Sequence, residues 1–434
     1  MIFTDDREGL DSGPVRQRAL HHRSLLQGQP TVWLRSETPL PARVNIPLIE
    51  IADALGRLDR FRPVLSALFP QDDWDGRIRS PLLDYGAPPE GPAALLVKAD
   101  HALPLTGTIK ARGGVYELLC FIEEIGLREG LVAVGGVYEP LRGAKARTTL
   151  ANYVVGVAST GNLGLSVGLV ARRFGLAAEV HMSRDAKSWK RDRLRELGVD
   201  VVEHSGDYAA AVAAARQAFA GRRCSHFIDD ENSRTLLIGY ALGAWELAAQ
   251  LEARGIAVSE RRPLIVYLPC GVGGAPGGVT LGLKAIYGDA VACVFAEPIA
   301  SASMFAAMAF GGGRPLPVYE LGLDNRTLAD GLATPAASAL VLDVVSQDID
   351  AVVAVPDAAL IDQVGRAWRD KGLRLEPSAA AGFAAIGPLR DALKSGKGGE
   401  GPLQLWDDAT HVVWTTGGSM LRDEDFASLL RGDL

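Results

Sequence analysis

Apolar and polar residues alternate along most of this chain with two regular periods. From residue 151 onward, short apolar runs predict strands, and longer stretches with helical spacing separate them. The predicted strands are NYVVGVAS, AEVHMS, VDVVEHS, CSHFID, PLIVYLPCG, ACVFAEP, DAVVAV and HVVWTTGG. Strands that alternate with helices in this way form right-handed βαβ crossovers and mainly parallel sheets. The pattern therefore predicts an α/β protein whose sheets are covered by helices.

The N-terminal part of the chain is less regular. Residues 1 to about 30 are polar and predict an arm or a poorly ordered tail. Residues 44–69 carry apolar side chains at helical spacing and predict one or two helices, with a break at Pro63. The segment AALLVK (93–98) predicts a buried strand that leads into the loop around Lys110.

Composition and charge narrow the classes of function. The chain has 434 residues, of which 48% are hydrophobic and 22% charged, so it can bury a large core. The net charge of −7 without a basic stripe disfavours nucleic-acid binding. We also expect no membrane segment, because no apolar run is long enough, and no signal peptide.

The spacing of the cysteines and histidines indicates the redox state of the thiols and whether a metal site is expected. Cys120, Cys224, Cys270 and Cys293 lie far apart, which is typical of free thiols in a reducing cytoplasm. The histidines show no HxxxH spacing, so a transition-metal enzyme is disfavoured.

Lys110 breaks local rules of helix formation within PLTGTIKARGG (104–114). A cation at the start of a helix opposes the helix dipole. Gly113 and Gly114 each cost about 1 kcal/mol of helix propensity relative to alanine. A segment that breaks two local rules is often functional. The alternative is a loop lysine beside a glycine turn.

A glycine-rich loop, CGVGGAPGG (270–278), follows an apolar strand and precedes a predicted helix. Glycines let backbone N–H groups approach an anion, and the helix dipole adds partial positive charge. Pro276 stands where a dinucleotide motif has its third glycine, and no P-loop ending is present. The loop therefore favours a single phosphate over a dinucleotide or ATP, with an unliganded turn as the alternative.

Two further loops follow predicted strands. STGNLG (159–164) offers hydroxyls and helix-terminal N–H groups that suit a carboxylate, or else a good N-cap. TTGGS (415–419) taken alone predicts a turn. Asp229, Asp230 and Glu231 predict a charged loop, although two acids there would also suit a cation. We interpret Cys270 as a small buried residue rather than a nucleophile, since no partner can be placed beside it.

A reactive lysine, a monophosphate cradle and a carboxylate site together indicate a lysine that binds pyridoxal phosphate. The order of PLTGTIKARGG, ASTGNLGLSVG, FIDDENSRTLLIGY, VYLPCGVGGAPGG, AEP, RLEPSAAAG and VVWTTGGSM resembles that of the D-serine dehydratases. These enzymes belong to the tryptophan-synthase-β-like group, fold type II, of pyridoxal-phosphate proteins. The resemblance covers residues 30 to 430, roughly, and several motifs in fixed order are more specific than any single loop.

The resemblance implies a two-lobed fold. Its expected parts are an N-terminal arm (1–45), a large cofactor-binding domain (46–112 and 225–434) and a small domain (113–224). It also implies a monomer or homodimer, and a β-elimination that converts D-serine to pyruvate and ammonia. D-threonine or 3-hydroxyaspartate are alternative substrates, and a non-catalytic ligand-binding protein is the alternative from another class.

Site residues follow from the same resemblance. Lys110 is the expected Schiff-base lysine and the first choice for moving the Cα proton, with Thr160 as the second choice. Asn162 is expected beside the pyridoxal hydroxyl, and Thr416 beside the pyridine nitrogen. The expected phosphate-binding residues are Gly271, Gly273, Gly274, Gly277 and Gly278. The expected substrate carboxylate site is Ser159, Thr160 and Gly161.

A monovalent cation, potassium or sodium, is also expected, with Glu297 as a candidate ligand. Three residues depart from the family pattern. His101 replaces an expected serine and predicts an altered cleft, while Ala275 and Ser419 replace expected glycines.

Overall fold

A computed structural model describes residues 13–35, 40, 44–70, 74–88, 91–184, 186–396 and 400–432, with side chains from residue 17. The strands are β1 (Thr31–Leu34), β2 (Leu82–Gly86), β3 (Leu95–Ala99), β4 (Val154–Ala158), β5 (Ala177–Ser183), β6 (Asp200–His204), β7 (Ser225–Ile228), β8 (Leu264–Pro269), β9 (Val291–Pro298), β10 (Ile349–Val355) and β11 (Thr410–Thr415).

Helices surround these strands. They are α1 (Gly13–Leu26), α2 (Leu48–Leu68), α3 (Lys110–Arg128), α4 (Ala144–Leu150), α5 (Asn162–Phe174), α6 (Ser188–Glu196), α7 (Tyr208–Phe219), α8 (Arg234–Ala253), α9 (Gly274–Tyr287), α10 (Ser303–Phe305), α11 (Ala339–Val345), α12 (Asp357–Lys371), α13 (Pro377–Ala384), α14 (Ile386–Lys394) and α15 (Asp423–Arg431). Among the described residues, no helix has both the length and the apolar character needed to cross a membrane.

The larger sheet has seven strands in the order β1-β10-β9-β8-β11-β3-β2. The five central strands are parallel, and both edge strands run antiparallel to their neighbours. Side chains alternate across the sheet, so Val412 packs with the core of α3, α8 and α9, whereas Val413 packs with α12 and α13. Apolar residues on both faces explain the nearly continuous hydrophobic strands in the sequence.

The smaller sheet has four parallel strands in the order β6-β5-β4-β7. The predicted α/β architecture with parallel, helix-covered sheets in two lobes is therefore confirmed. One boundary needs correction, because Ser225–Ile228 pairs with β4 in the smaller sheet rather than with the large domain assigned to residues 225–434. The other domain limits stay predictions.

The N-terminal region is more ordered than the sequence suggested. Gly13–Leu26 is a helix, and Thr31–Leu34 forms an edge strand of the larger sheet. The prediction of a poorly ordered tail is therefore wrong for residues 13–30, while residues 1–12 lie outside the described part. Residues 48–68 form one continuous helix with Pro63 inside, so the predicted break is also wrong. Buried neighbours such as Val64 hold this helix against the core.

Candidate active site

The carboxyl ends of parallel strands from both sheets open onto one cleft, as expected for open α/β sheets. The loops after β4, β8 and β11 contribute to its walls, as do the start of α3 and the residues after β7. The predicted site residues that line it are Lys110, Ser159, Thr160, Asn162, Gly271, Gly273, Gly274 and Thr416. Lining residues that the sequence reasoning missed include Tyr208, Asp230, Thr334, Glu376 and Ser378.

Lys110 is the first residue of α3, and its side chain is 18% exposed. Its Nζ lies 2.7 Å from Oδ2 of Asp230, and 5.8 Å from the centre of the Tyr240 ring. The carboxylate offsets the unfavourable interaction between the ammonium group and the helix dipole. The Lys110 side chain is thus fixed in the cleft by its ion pair with Asp230. This excludes the alternative of a free lysine in a loop.

Asp230 was predicted only as part of a charged loop. Its neighbours fit that prediction, because Asp229 and Glu231 both form ion pairs with Arg216, which is partly exposed. Asp230 instead points into the cleft towards Lys110, and its Oδ1 is buried without a hydrogen-bond partner. The three adjacent acids therefore have different roles, which their spacing alone did not reveal.

The glycine loop after β8 lies directly before α9. Gly273 has φ +106°, a conformation that side chains with a Cβ rarely adopt, and a Cβ there would come within 2.9 Å of Met304 Cε. The loop exposes the N-terminal end of a 14-residue helix to the cleft, an arrangement that binds phosphate. The unliganded turn is therefore the less favoured alternative.

Gly277 and Gly278 were predicted to contact the same phosphate, but they do not line the cleft. A Cβ on Gly277 would lie 2.7 Å from Val341 Cγ1, and one on Gly278 would lie 2.4 Å from the Leu237 carbonyl oxygen. Both glycines therefore allow α9 to pack closely against α8 and α11, and their predicted contact with the phosphate stays a prediction.

The loop after β4 forms the opposite wall. Ser159 Oγ accepts hydrogen bonds from the backbone N–H groups of Gly161 (2.8 Å) and Gly164 (3.2 Å). The N-cap alternative thus describes the Ser159 hydroxyl well, although the residue also lines the cleft. Thr160 lines the cleft too, while Gly161, with φ +137°, lies beneath it against Lys190.

Glu376 joins two predicted site residues. Asn162 Nδ2 donates to Glu376 Oε1 over 2.9 Å, which links the smaller lobe to the larger one. Burial and the nearby Asp330 raise the pKa of Glu376. The Ile109 N–H donates to the Thr416 carbonyl oxygen over 2.8 Å, so the end of β11 is tied to the start of α3. This bond places the Thr416 hydroxyl loop beside Lys110.

His101 does not line the cleft itself, so any effect of it on the cleft would pass through Thr415, the neighbour of Thr416. It is buried behind β11, with Nδ1 2.7 Å from Thr415 Oγ1, and burial lowers its pKa to about 4. Of the other two departures, Ala275 lines the cleft, while Ser419 Oγ lies 3.5 Å from the Gly107 carbonyl oxygen.

Glu297, the candidate cation ligand, is completely buried at the end of β9. It accepts hydrogen bonds from the backbone N–H groups of Met304 (3.0 Å) and Phe305 (2.6 Å). Burial raises its pKa to about 8 even though these donors favour the charged form. Within the described ranges, no group of three or more His, Cys, Asp or Glu residues is arranged to hold a metal.

Comparison with known proteins shows which family the chain belongs to. The family model of the pyridoxal-phosphate dependent enzymes matches residues 74–401. The chain belongs to this family of enzymes, as the motif order predicted.

Two relatives are similar to this chain over most of its length. The chain is 46% identical over 411 residues to a probable D-serine dehydratase of Cupriavidus pinatubonensis, covering 92% of this chain and 91% of the relative. It is also 46% identical over 409 residues to a probable D-serine dehydratase of Burkholderia thailandensis, with 92% of each chain covered.

Among solved structures, diaminopropionate ammonia lyase from Escherichia coli, in complex with D-serine, superposes with a TM-score of 0.70 at 17% identity. The match covers 93% of this chain and 98% of that one. This similarity supports the fold.

The cleft fits pyridoxal phosphate on its own geometry. Lys110 supplies a primary amine, and the loop around Gly273 supplies a phosphate cradle in which a Cβ would clash. Asn162 and Thr416 supply further polar groups to the same cleft, and the unpartnered Oδ1 of Asp230 is a spare acceptor beside the amine. The chemistry of these lining residues therefore fits an aldehyde-bearing phosphate.

Proposed function

We propose that the chain catalyses the pyridoxal-phosphate-dependent β-elimination of D-serine to pyruvate and ammonia through Lys110. The observation that carries this proposal is the position of Lys110, held 2.7 Å from Asp230 in the cleft that the Gly273 loop also lines. The probable D-serine dehydratases at 46% identity over most of the chain support the choice of substrate.

Bound pyridoxal phosphate supplies an electron-withdrawing ring that stabilises negative charge at the substrate Cα. Lys110 would hold the cofactor through its Nζ amine, and the same amine is proposed to move the Cα proton of the substrate. Thr160 is the second candidate for the group that moves the Cα proton, because a D-configured substrate can present this proton to the opposite face of the cofactor ring. Thr416 would offer the ring nitrogen a neutral hydroxyl rather than a carboxylate, which suits elimination of a β-hydroxyl group.

The substrate carboxylate is proposed to bind the loop formed by Ser159, Thr160 and Gly161. Helix-terminal N–H groups and the Thr160 hydroxyl are the donors, and the Ser159 hydroxyl, whose oxygen accepts from Gly161 and Gly164, still has its own proton to donate. Gly271, Gly273 and Gly274 are proposed to hold the phosphate through backbone N–H groups. Elimination of the β-hydroxyl group releases water. The enamine product is then hydrolysed to pyruvate and ammonia after it has left the site.

A potassium or sodium ion near Glu297, a monomeric or homodimeric state and a cytoplasmic location are further parts of the proposal. D-threonine and 3-hydroxyaspartate are the alternative substrates, and His101, the residue that made the substrate range less certain, does not line the cleft.

A spectrum of the pure protein, recorded with and without D-serine, tests the proposal. We expect a visible absorbance band from the lysine-bound cofactor that changes on adding D-serine, and release of pyruvate. A panel of D- and L-hydroxyamino acids, scored by release of 2-oxo acid, then ranks the substrates. Faster release from D-threonine or 3-hydroxyaspartate would reassign the substrate, and a protein that binds no cofactor would contradict the proposal.

A further inference from the structure

An ion pair joins the two lobes beside the cleft. Lys190 belongs to α6 beside the smaller sheet, and its Nζ lies 2.8 Å from Oδ2 of Asp330. Asp330 opens the short turn Asp330–Leu332, which belongs to the larger lobe, where the N–H of Gly331 donates to Ser378 Oγ on α13. The pair therefore joins segments that are far apart in the sequence and packed on different sheets.

The pair touches both walls of the proposed substrate site. The methylene stem of Lys190 lies directly beneath Gly161, since a Cβ on that glycine would come within 2.2 Å of Lys190 Cδ. On the other side of the cleft, Gly331 and Leu332 follow Asp330 and line the pocket. One side chain therefore contacts the loop at Gly161 and is tied to the facing wall.

The Lys190–Asp330 ion pair is largely buried. The Lys190 side chain is 1% exposed, and that of Asp330 is 22% exposed. Burial alone would raise the pKa of Asp330, but the ammonium groups of Lys190 and Lys187 outweigh it and lower that pKa. A buried lysine without a partner is strongly unfavourable, so the Lys190 side chain stays where Asp330 is.

We propose that the Lys190–Asp330 ion pair positions the 159–162 loop across from Lys110 and thereby sets the affinity for the substrate carboxylate. The inference rests on the proposed function, because that loop is the proposed carboxylate site. A displaced loop presents its donors to the substrate carboxylate with poorer alignment, so substrate binding weakens, while Lys110 and the cofactor cradle keep their places. The separate Asn162–Glu376 hydrogen bond still joins the lobes when the ion pair is broken, so the cofactor cradle should survive.

Lys190→Met and Asp330→Asn test this role from both sides. We expect the KM for D-serine to rise at least about tenfold in each variant, with kcat within about threefold of the unaltered enzyme. The visible band of the bound cofactor should be retained. Arg193→Met is the matched control, because Arg193 lies on the same helix in an exposed ion pair with Glu196, and it should leave KM unchanged.

The double variant Lys190→Met/Asp330→Asn adds a second criterion. Since both changes remove the same contact, its KM should be no higher than that of the worse single variant, rather than the product of both effects. The inference is overturned by a KM within twofold of normal in either single variant that keeps the band. Loss of the band in both single variants would also overturn it, because the pair would then hold the cofactor rather than the loop.

Failure of the proposed function is distinguishable from failure of this inference. An unaltered protein that does not convert D-serine contradicts the function before any variant is made. If it binds D-serine without turnover, the Kd from the spectral shift replaces KM, and the same tenfold criterion applies to the variants.

Discussion

Asp100 and Arg112 face each other through two hydrogen bonds, from Nε to Oδ2 at 2.6 Å and from Nη2 to Oδ1 at 2.7 Å. Both side chains are buried behind Lys110. Glu246 accepts a further bond from Arg112 at 2.7 Å, and Trp414 Nε1 donates to Asp100 at 2.8 Å. This cluster ties the end of β3, the first turn of α3 and β11 together, so it fixes the backbone from which Lys110 projects.

Asp100→Asn should lower the free energy of unfolding by about 3 kcal/mol, because it breaks the buried bidentate pair and leaves Arg112 with Glu246 alone as its anionic partner. Urea unfolding at constant pH measures the change. Glu124→Gln is the control, since Glu124 pairs with Arg128 on the exposed face of α3 and its loss should cost less than about 1 kcal/mol. Equal losses in the two variants would contradict a special role for the buried pair.

Lys110→Ala should abolish both the visible absorbance of the lysine-bound cofactor and the release of pyruvate, because no other described amine is in contact with Asp230 at the cleft. Absorbance spectra and a pyruvate assay on the same preparation check both expectations. Lys371→Ala, at an exposed lysine at the end of α12, is the comparison that should keep the band. A lysine-dependent band that persists in Lys110→Ala would refute the assignment.

Gly273→Ala should weaken pyridoxal phosphate binding by at least about tenfold, because alanine at φ +106° is strained and its methyl group meets Met304. Spectral titration of the cofactor-free protein gives the Kd. Gly288→Ala offers a matched control at the other end of α9, where φ is also positive but a Cβ would have open space. That variant should lose some stability and keep its Kd, whereas weakened binding in both would point to general strain.

His101→Ser should remove part of the acid sensitivity of folding. Burial lowers the pKa of His101 to about 4, so below its ordinary value of about 6.5 the unfolded chain binds the proton first. Stability is therefore present at pH 7.5 and is lost as the pH falls from 6.5 towards 4.

The His101 contribution amounts to about 2 kcal/mol between pH 7.5 and pH 5, at 1.36 kcal/mol per pH unit within the window. Urea midpoints of the unaltered protein and of His101→Ser, measured at both pH values, isolate it. The same loss on acidification in both proteins would show that His101 already binds its proton in the folded state.

Local sequence patterns were enough to predict many of the helices and strands. The helix through Phe174 and the strands after residue 151 were predictable, because side-chain periods of 3.6 and 2 follow directly from burial. Pro63 shows the limit of such reasoning. A proline removes one helical hydrogen bond, but the burial of Phe61, Val64 and Leu65 on the same helix outweighs that loss, and only the tertiary contacts reveal it.

The site could be predicted where a loop follows a strand and carries an unusual residue type. Lys110, the Gly273 loop and Asn162 satisfy that rule. Asp230 could not be separated from the acids on either side of it, since only the fold decides which of them points inward. Lys190 and Asp330 are too far apart in sequence for any local pattern to join them.

The position of β11 has a consequence for the synthesis of the chain. This strand lies between β3 and β8 in the middle of the larger sheet, yet its residues leave the ribosome long after theirs. Until residues 410–415 emerge, β3 and β8 each expose an unpaired edge, and the loop before Lys110 lacks the hydrogen bond to Thr416. A nascent chain stalled before residue 410 should therefore be unable to load its cofactor and should depend on chaperones to stay unaggregated.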